Sequence, residues 1–261
     1  MKLAAAIFVL SFVTSSAFAN IKTQTVEYKV GDTTCRGYLA YDDSTDVKRP
    51  GVIVVHEWWG LTDYAKRRAE QLAQLGYVAF CADMFGDGRT TTDPKKALEF
   101  VTELGKHPDV AAARSQAAMD ELKKQPQLDP SRVAAIGYCF GGSTALNMAR
   151  AGMDLKGVVS FHGSLATDSP AKKGQIKAKL LICHGAADPM VPAEQVQNFE
   201  KEMTDAGVDW QLNAYSHAVH AFSNPDADKF GIEGVGYNAE ADRRSWKAMQ
   251  AFFDEVFGAA R

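Results

Sequence analysis

Beyond its first twenty residues the sequence has no apolar run long enough to cross a membrane, and it carries no basic stripe, no internal repeat, no low-complexity tract and no linker. A formal charge of only −3, with acids and bases interspersed, argues against nucleic acid and anionic membrane surfaces as partners and for a small-molecule substrate. Cysteine is scarce: four residues (35, 81, 139 and 183) in 261 are too few for a disulfide scaffold in a chain able to bury a large core without staples. Cys81 and Cys183 sit in apolar strand runs, as buried thiols do, while the sequence leaves a bridge through Cys35 open. No spacing among the histidines, cysteines and acids suggests a metal site, and no motif suggests a cofactor.

The one strongly apolar segment is at the start. Lys2, the stretch Leu3 to Val13, and Ala17-Phe18-Ala19 before Asn20 have the layout of a secretory signal peptide with its cleavage site. It is well short of the ~20 residues of a spanning helix. The reading is a signal peptide over 1–19, a single domain over 20–261, and an exported protein, periplasmic or secreted, with no membrane attachment after cleavage.

From Lys22 onward, two strands about a Gly31-Asp32 turn precede a series of runs apolar at every position. These are Gly51 to His56, Tyr77 to Cys81, Val133 to Ile136, Gly157 to Phe161, Leu180 to Cys183 and Trp210 to Tyr215. Such runs belong to strands covered on both faces. Helical patterns alternate with them: 63–75, 94–104, 110–124, 142–150, 193–206 and 239–257. The alternation predicts a doubly wound, mostly parallel α/β sheet with helices on both faces. No insertion is long enough for a separate lid domain, which leaves Met84 to Pro94 and Ser223 to Asn238 as pocket walls.

In such folds chemistry gathers where strands end. Gly137-Tyr-Cys139-Phe-Gly141 reads as a strand-to-helix elbow presenting a nucleophile, although a G-x-[Ser or Cys]-x-G string arises by chance in roughly one chain in ten. By itself it fits equally a small thiol packed between strand and helix. Downstream, one strand runs into Asp188-Pro-Met-Val-Pro192 and the last into His217-Ala-Val-His220. Nucleophile, acid and histidine therefore follow one another in the order of nucleophile-elbow hydrolases. A free thiol is only about 3% ionised at neutral pH, so Cys139 needs His220 as base and Asp188 to orient that base. Competing assignments are His217 for the base and a helix-capping role for Asp188. His56, His162 and His184 also end strands and read as supporting residues, and His107 as a surface histidine. In His56-Glu57-Trp58-Trp59, the Trp58 N–H would share an oxyanion hole with that of Phe140. Glu57 beside it is either part of the reaction or a structural acid.

These segments resemble the dienelactone hydrolase family within the α/β-hydrolase superfamily. The likeness rests on Gly-Tyr-Cys-Phe-Gly-Gly (137–142), His-Glu-Trp-Trp-Gly-Leu (56–61), the Asp188 turn and His220-Ala-Phe222, and runs from about Val26 to Phe257. The stretch from Phe222 to Trp246 is similar to an exported branch of the family. The resemblance implies hydrolysis of esters or lactones by Cys139, His220 and Asp188 through a thioester, with Glu57 paired to the resting thiol until substrate displaces it. It also implies two arginines for a substrate carboxylate, whereas the matching positions here hold Asp87 and Asn224. Losing two such contacts, each worth ~1.5 to 3 kcal/mol, points to neutral substrates unless Arg89 substitutes. Two other readings remain open: acyl transfer or peptide cleavage on the same fold, and a catalytically silent binding protein.

Overall fold

The computed structural model describes residues 20–258, so the segment expected as a signal peptide lies outside the described residues. Eight strands form one sheet: β1 Ile21–Val30, β2 Thr33–Asp42, β3 Arg49–Val55, β4 Val78–Ala82, β5 Leu128–Tyr138, β6 Gly157–Phe161, β7 Lys179–Gly185 and β8 Trp210–Tyr215. Their order is β1-β2-β4-β3-β5-β6-β7-β8. The first two pair as an antiparallel hairpin and β2 joins β4 antiparallel; from β4 to β8 every pairing is parallel. Parallel neighbours need crossovers: α1 Asp63–Gln74 lies between β3 and β4, α2 Pro94–Gly105 and α3 Pro108–Lys123 between β4 and β5, α4 Phe140–Arg150 between β5 and β6, and α5 Ala193–Ala206 between β7 and β8, while α6 Ala239–Phe257 follows β8.

Alternation along the central strands divides the core in two. Ile53, Val55, Phe80, Ala135, Val158 and Leu180 face α3, α4 and α5, where Met119, Leu122, Leu146, Phe199 and Met203 meet them. Val52, Val54, Ala79, Ile136, Val159 and Leu181 face the other way, onto Ala65, Ala69 and Leu72 of α1 and Met249, Phe252 and Phe253 of α6. Each fully buried large side chain stabilises the fold by roughly 1.5 to 3 kcal/mol, and both faces must be covered at once. This is why the strands read as unbroken apolar runs.

Two local outcomes differ from expectation. β8 is an edge strand with Gln211 and Ala214 exposed, because among the described residues nothing pairs beyond it; its polar alternation, not the average apolarity, was the relevant signal. A short 3-10 turn, Ala227–Phe230, also forms, its Phe230 packed 4.8 Å from the Trp59 ring.

Because β3, β5, β6, β7 and β8 run parallel, their carboxyl ends share one edge of the sheet. His56, Cys139, His162, Asp188 and His220 all follow those ends.

Candidate active site

The elbow is built by what glycine allows. Cys139 is in a strained left-handed conformation at φ 54 and ψ −118, between the last residue of β5 and the first of α4. A Cβ on Gly137 would lie 1.9 Å from the Gly141 carbonyl oxygen, and one on Gly141 2.2 Å from that of Val55, so chain bends back on itself only without side chains there. The bend is tied by the Gly142 N–H to the Cys139 carbonyl at 2.9 Å and by the Cys139 N–H to the Phe161 carbonyl at 3.0 Å. It leaves the thiol half-buried over the N-terminus of α4, where the helix dipole favours negative charge. All four cysteines are free thiols; burial pushes Cys35 up to about 11 and Cys183 up to about 12.

His220 comes from the loop after β8. Its backbone is clamped by the Gly234–Gly236 segment, donating to the Gly234 carbonyl and accepting from the Gly236 N–H, both at 3.0 Å. Its Nδ1 lies 2.9 Å from Asp188 Oδ2, which leaves Nε2 free to serve Cys139, whose sulfur is near enough to act on the ring. Burial alone would depress this imidazole, but the charge of Cys139 and the bonds to Asp188 and Cys139 outweigh it and raise its pKa above the usual histidine range. His217 is exposed at the turn. Asp188 is 5% exposed; its Oδ1 accepts the Met190 N–H at 2.8 Å, fixing the carboxylate in its own turn. It does not cap α5, whose N-cap is Pro192.

Glu57 is 3% exposed, and its hydrogen-bond partner is Asn224, whose Nδ2 lies 2.7 Å from Oε2. The amide cannot turn round, because Asn224 Oδ1 accepts the Asp226 N–H at 3.0 Å. The hydrogen-bond partner of Glu57 is thus Asn224 rather than the thiol with which the resemblance would pair it. Burial pushes the Glu57 carboxyl up to about 7, against the lowering effects of Asn224, His220 and Arg68.

Trp58 and Phe140, the residues expected to form the oxyanion hole, are both half-buried, and Phe140 directly follows Cys139. Phe140 opens α4, so its N–H has no intrahelical acceptor; among the described residues the Trp58 N–H has none either. The loop holding Trp58 is set by His56: its Nε2 accepts the Met84 N–H at 3.2 Å, so its proton is on Nδ1, which donates to the Glu57 carbonyl at 2.6 Å. Arg89 does not point to the thiol. It pairs with Glu103 at 3.0 Å and lies over the Phe100 ring, and Asp87 is exposed. His184 is buried and depressed by that burial, and His107 is an exposed residue at the start of α3.

Sequence reasoning missed a polar network behind the elbow. Arg68, on the buried face of α1, donates to the Ser223 carbonyl at 2.7 Å and pairs with Asp242, stacked over Trp246. Tyr64 OH lies 2.8 Å from Ser223 Oγ. An arginine within the apolar stripe of Tyr64, Ala65, Ala69 and Leu72 was the available signal.

The family model for the dienelactone hydrolase family matches residues 35–257. The protein usf of Aquifex pyrophilus is 30% identical over 237 residues, covering 89% of this chain and 98% of that one. A putative carboxymethylenebutenolidase of Aquifex aeolicus is 27% identical, covering 88% and 97%. Among solved structures, a dienelactone hydrolase-like promiscuous phosphotriesterase from metagenomic libraries superposes with a TM-score of 0.85 at 40% identity, covering 90% of this chain and 98% of that chain. The chain belongs to the dienelactone hydrolase family, ester and lactone hydrolases built on the α/β-hydrolase fold.

Proposed function

We propose that the protein hydrolyses neutral carboxylic esters or lactones by covalent catalysis at Cys139. The observation that carries this is the pairing of His220 Nδ1 with Asp188 Oδ2 at 2.9 Å, with Cys139 near enough to raise the pKa of that imidazole. In the first half-reaction His220 Nε2 takes the thiol proton and the sulfur attacks the carbonyl carbon. The ester C–O bond breaks and the proton passes from Nε2 to the leaving oxygen, which in a lactone stays attached to the acyl group. In the second, His220 deprotonates a water that attacks the thioester; the C–S bond breaks and the sulfur is reprotonated. The Trp58 and Phe140 N–H groups would stabilise the oxyanion in both steps, and Asp188 holds the ring and its positive charge.

Neutral substrates are favoured because the charges around the thiol give an anionic substrate nothing to pair with. Glu57 is itself an acid, Asn224 is committed to it, and Arg89 is committed to Glu103. Comparing kcat/KM for a neutral aryl acetate and a carboxylated dienelactone, with Cys139→Ala alongside, tests both parts. The acetate should be preferred and the variant inactive; a dienelactone preference refutes the substrate class, and an active variant refutes the nucleophile. Added alcohol or amine in the same assay separates hydrolysis from acyl transfer.

A second activity is favoured by the 40% identical phosphotriesterase. A thiolate held beside an oxyanion hole can also attack a neutral phosphotriester, and release of an aryl alcohol from such a substrate by the native protein but not by Cys139→Ala would establish it. Export follows only from residues 1–19 and is proposed on that basis; mature protein beginning near Asn20 in an extracellular or periplasmic fraction is the expected finding.

A further inference from the structure

The Cys139 N–H has a second acceptor besides Phe161: Nδ1 of His162, at 3.1 Å. Since an N–H can only donate, Nδ1 carries no proton and the ring's single hydrogen is on Nε2, 2.8 Å from Ser223 Oγ. Ser223 lies three residues after His220, in the loop that delivers the base. One neutral ring thus ties the main chain of the nucleophile to the loop of its partner histidine.

The ring is held there against some cost. His162 has φ 41, a left-handed conformation unusual for a non-glycine residue, and its N–H is fixed to the Cys183 carbonyl at 2.9 Å. It is 1% exposed and packs edge-on against His220, with ring centroids 5.4 Å apart, and against Phe222 at 5.2 Å. Beyond it, the Ser223 hydroxyl meets Tyr64 OH, and the Ser223 carbonyl takes hydrogen bonds from Arg68 and Tyr64. A single proton arrangement satisfies this chain: His162 Nε2–H to Ser223 Oγ, Ser223 Oγ–H to Tyr64, and Tyr64 O–H to the Ser223 carbonyl.

We propose that His162 is a positioning residue for the hydrolysis, setting the separation of the Cys139 sulfur and the His220 imidazole through its bonds to the Cys139 N–H and Ser223 Oγ. The proposal rests on Cys139 being the nucleophile. Cys139 sits in a strained conformation that relaxes if a tether is lost, and a misplacement of about 1 Å can cost on the order of 10²-fold in rate.

Three substitutions separate positioning from bulk. His162→Asn puts an amide oxygen where Nδ1 stands and tolerates a left-handed φ; it keeps the bond to Cys139 and loses Ser223. His162→Gln reaches Ser223 but not the Cys139 N–H, and His162→Phe keeps the ring shape with neither bond. With a neutral aryl acetate, Phe, which keeps neither bond, should lower kcat by about 10- to 100-fold while KM changes less than about twofold, and Asn and Gln, each keeping one bond, should lose less than Phe but more than nothing. Alkylation of Cys139 by iodoacetamide should slow and recover in the same order. Equal kcat losses in all three variants, losses that track Tm, or native kcat in His162→Gln would overturn the proposal. Should the Gln and Phe variants not fold, Ser223→Ala carries the test: a reduced kcat at unchanged KM supports it and a native kcat overturns it. Cys139→Ala run in parallel distinguishes the failures. If it retains activity the nucleophile assignment is wrong; if it is inactive while His162→Gln matches the native protein, only the positioning role is lost.

Discussion

His162 and His220 are in edge-to-face contact, their ring centroids 5.4 Å apart, and they are 1% and 7% exposed. Burial pushes both toward the neutral form. For His162 the charges of His220 and Arg68 add to it, a backbone hydrogen bond opposes it only weakly, and the pKa falls well below the usual range. For His220 it is overcome by Cys139 and by the Asp188 carboxylate. Two copies of one side chain in nearly one place therefore have opposite electrostatic character, and the difference lies in what each nitrogen touches. An imidazole facing an N–H and a hydroxyl stays a neutral tether; one facing a carboxylate and a thiol can hold a proton.

Removing the basic member should have the largest effect. His220→Ala loses both proton transfers, and kcat for a neutral aryl acetate is expected to fall by about 10²- to 10⁴-fold; near-native turnover would end the distinction between the two rings. Next comes Asp188→Asn, which keeps the His220 ring but removes its anion and so makes it resemble His162. The ring's NMR titration should move to lower pH, with a kcat loss on the order of 10²-fold. An unmoved titration would mean that Asp188 is not what separates them.

The smallest effect concerns stability and asks whether the rule extends to acids. Glu57, unlike Asp188, has no ionic partner in contact, and its pKa is raised in the fold from 4.5 to about 7. Between those values the folded state binds the proton more tightly than the unfolded state, so stability falls as pH rises through this window and stays reduced above it. Glu57→Gln keeps an oxygen for Asn224 and removes the ionisation. Its Tm advantage over the native protein should be larger at about pH 8 than at about pH 4; a constant difference would show that the fold does not raise the Glu57 pKa.

The central strands and the order Cys139, Asp188, His220 were legible in the sequence because each has a local cause. Strands covered on both faces must be apolar throughout, and the bend at Cys139 demands the glycines at 137 and 141. The choice of His220 over His217 is local in another way, since the Gly234–Gly236 clamp fixes only the former. The network of His162, Ser223, Tyr64 and Arg68 was not legible. Arg68 and Ser223 are 155 residues apart and meet only because α1 and the loop after β8 arrive at the same end of the sheet. The Asn224 hold on Glu57, across 167 residues, is of the same kind. Such contacts leave no periodicity or spacing to read, only a polar residue on an apolar face.

The central claim is that Cys139 forms a covalent acyl-enzyme. Native protein mixed with an activated aryl ester of a slowly deacylating acid, quenched within a turnover and weighed intact, should gain one acyl group, and peptide mapping should place it on Cys139. Acylation of a different residue, or undiminished hydrolysis by Cys139→Ala with no adduct on the native protein, would contradict it.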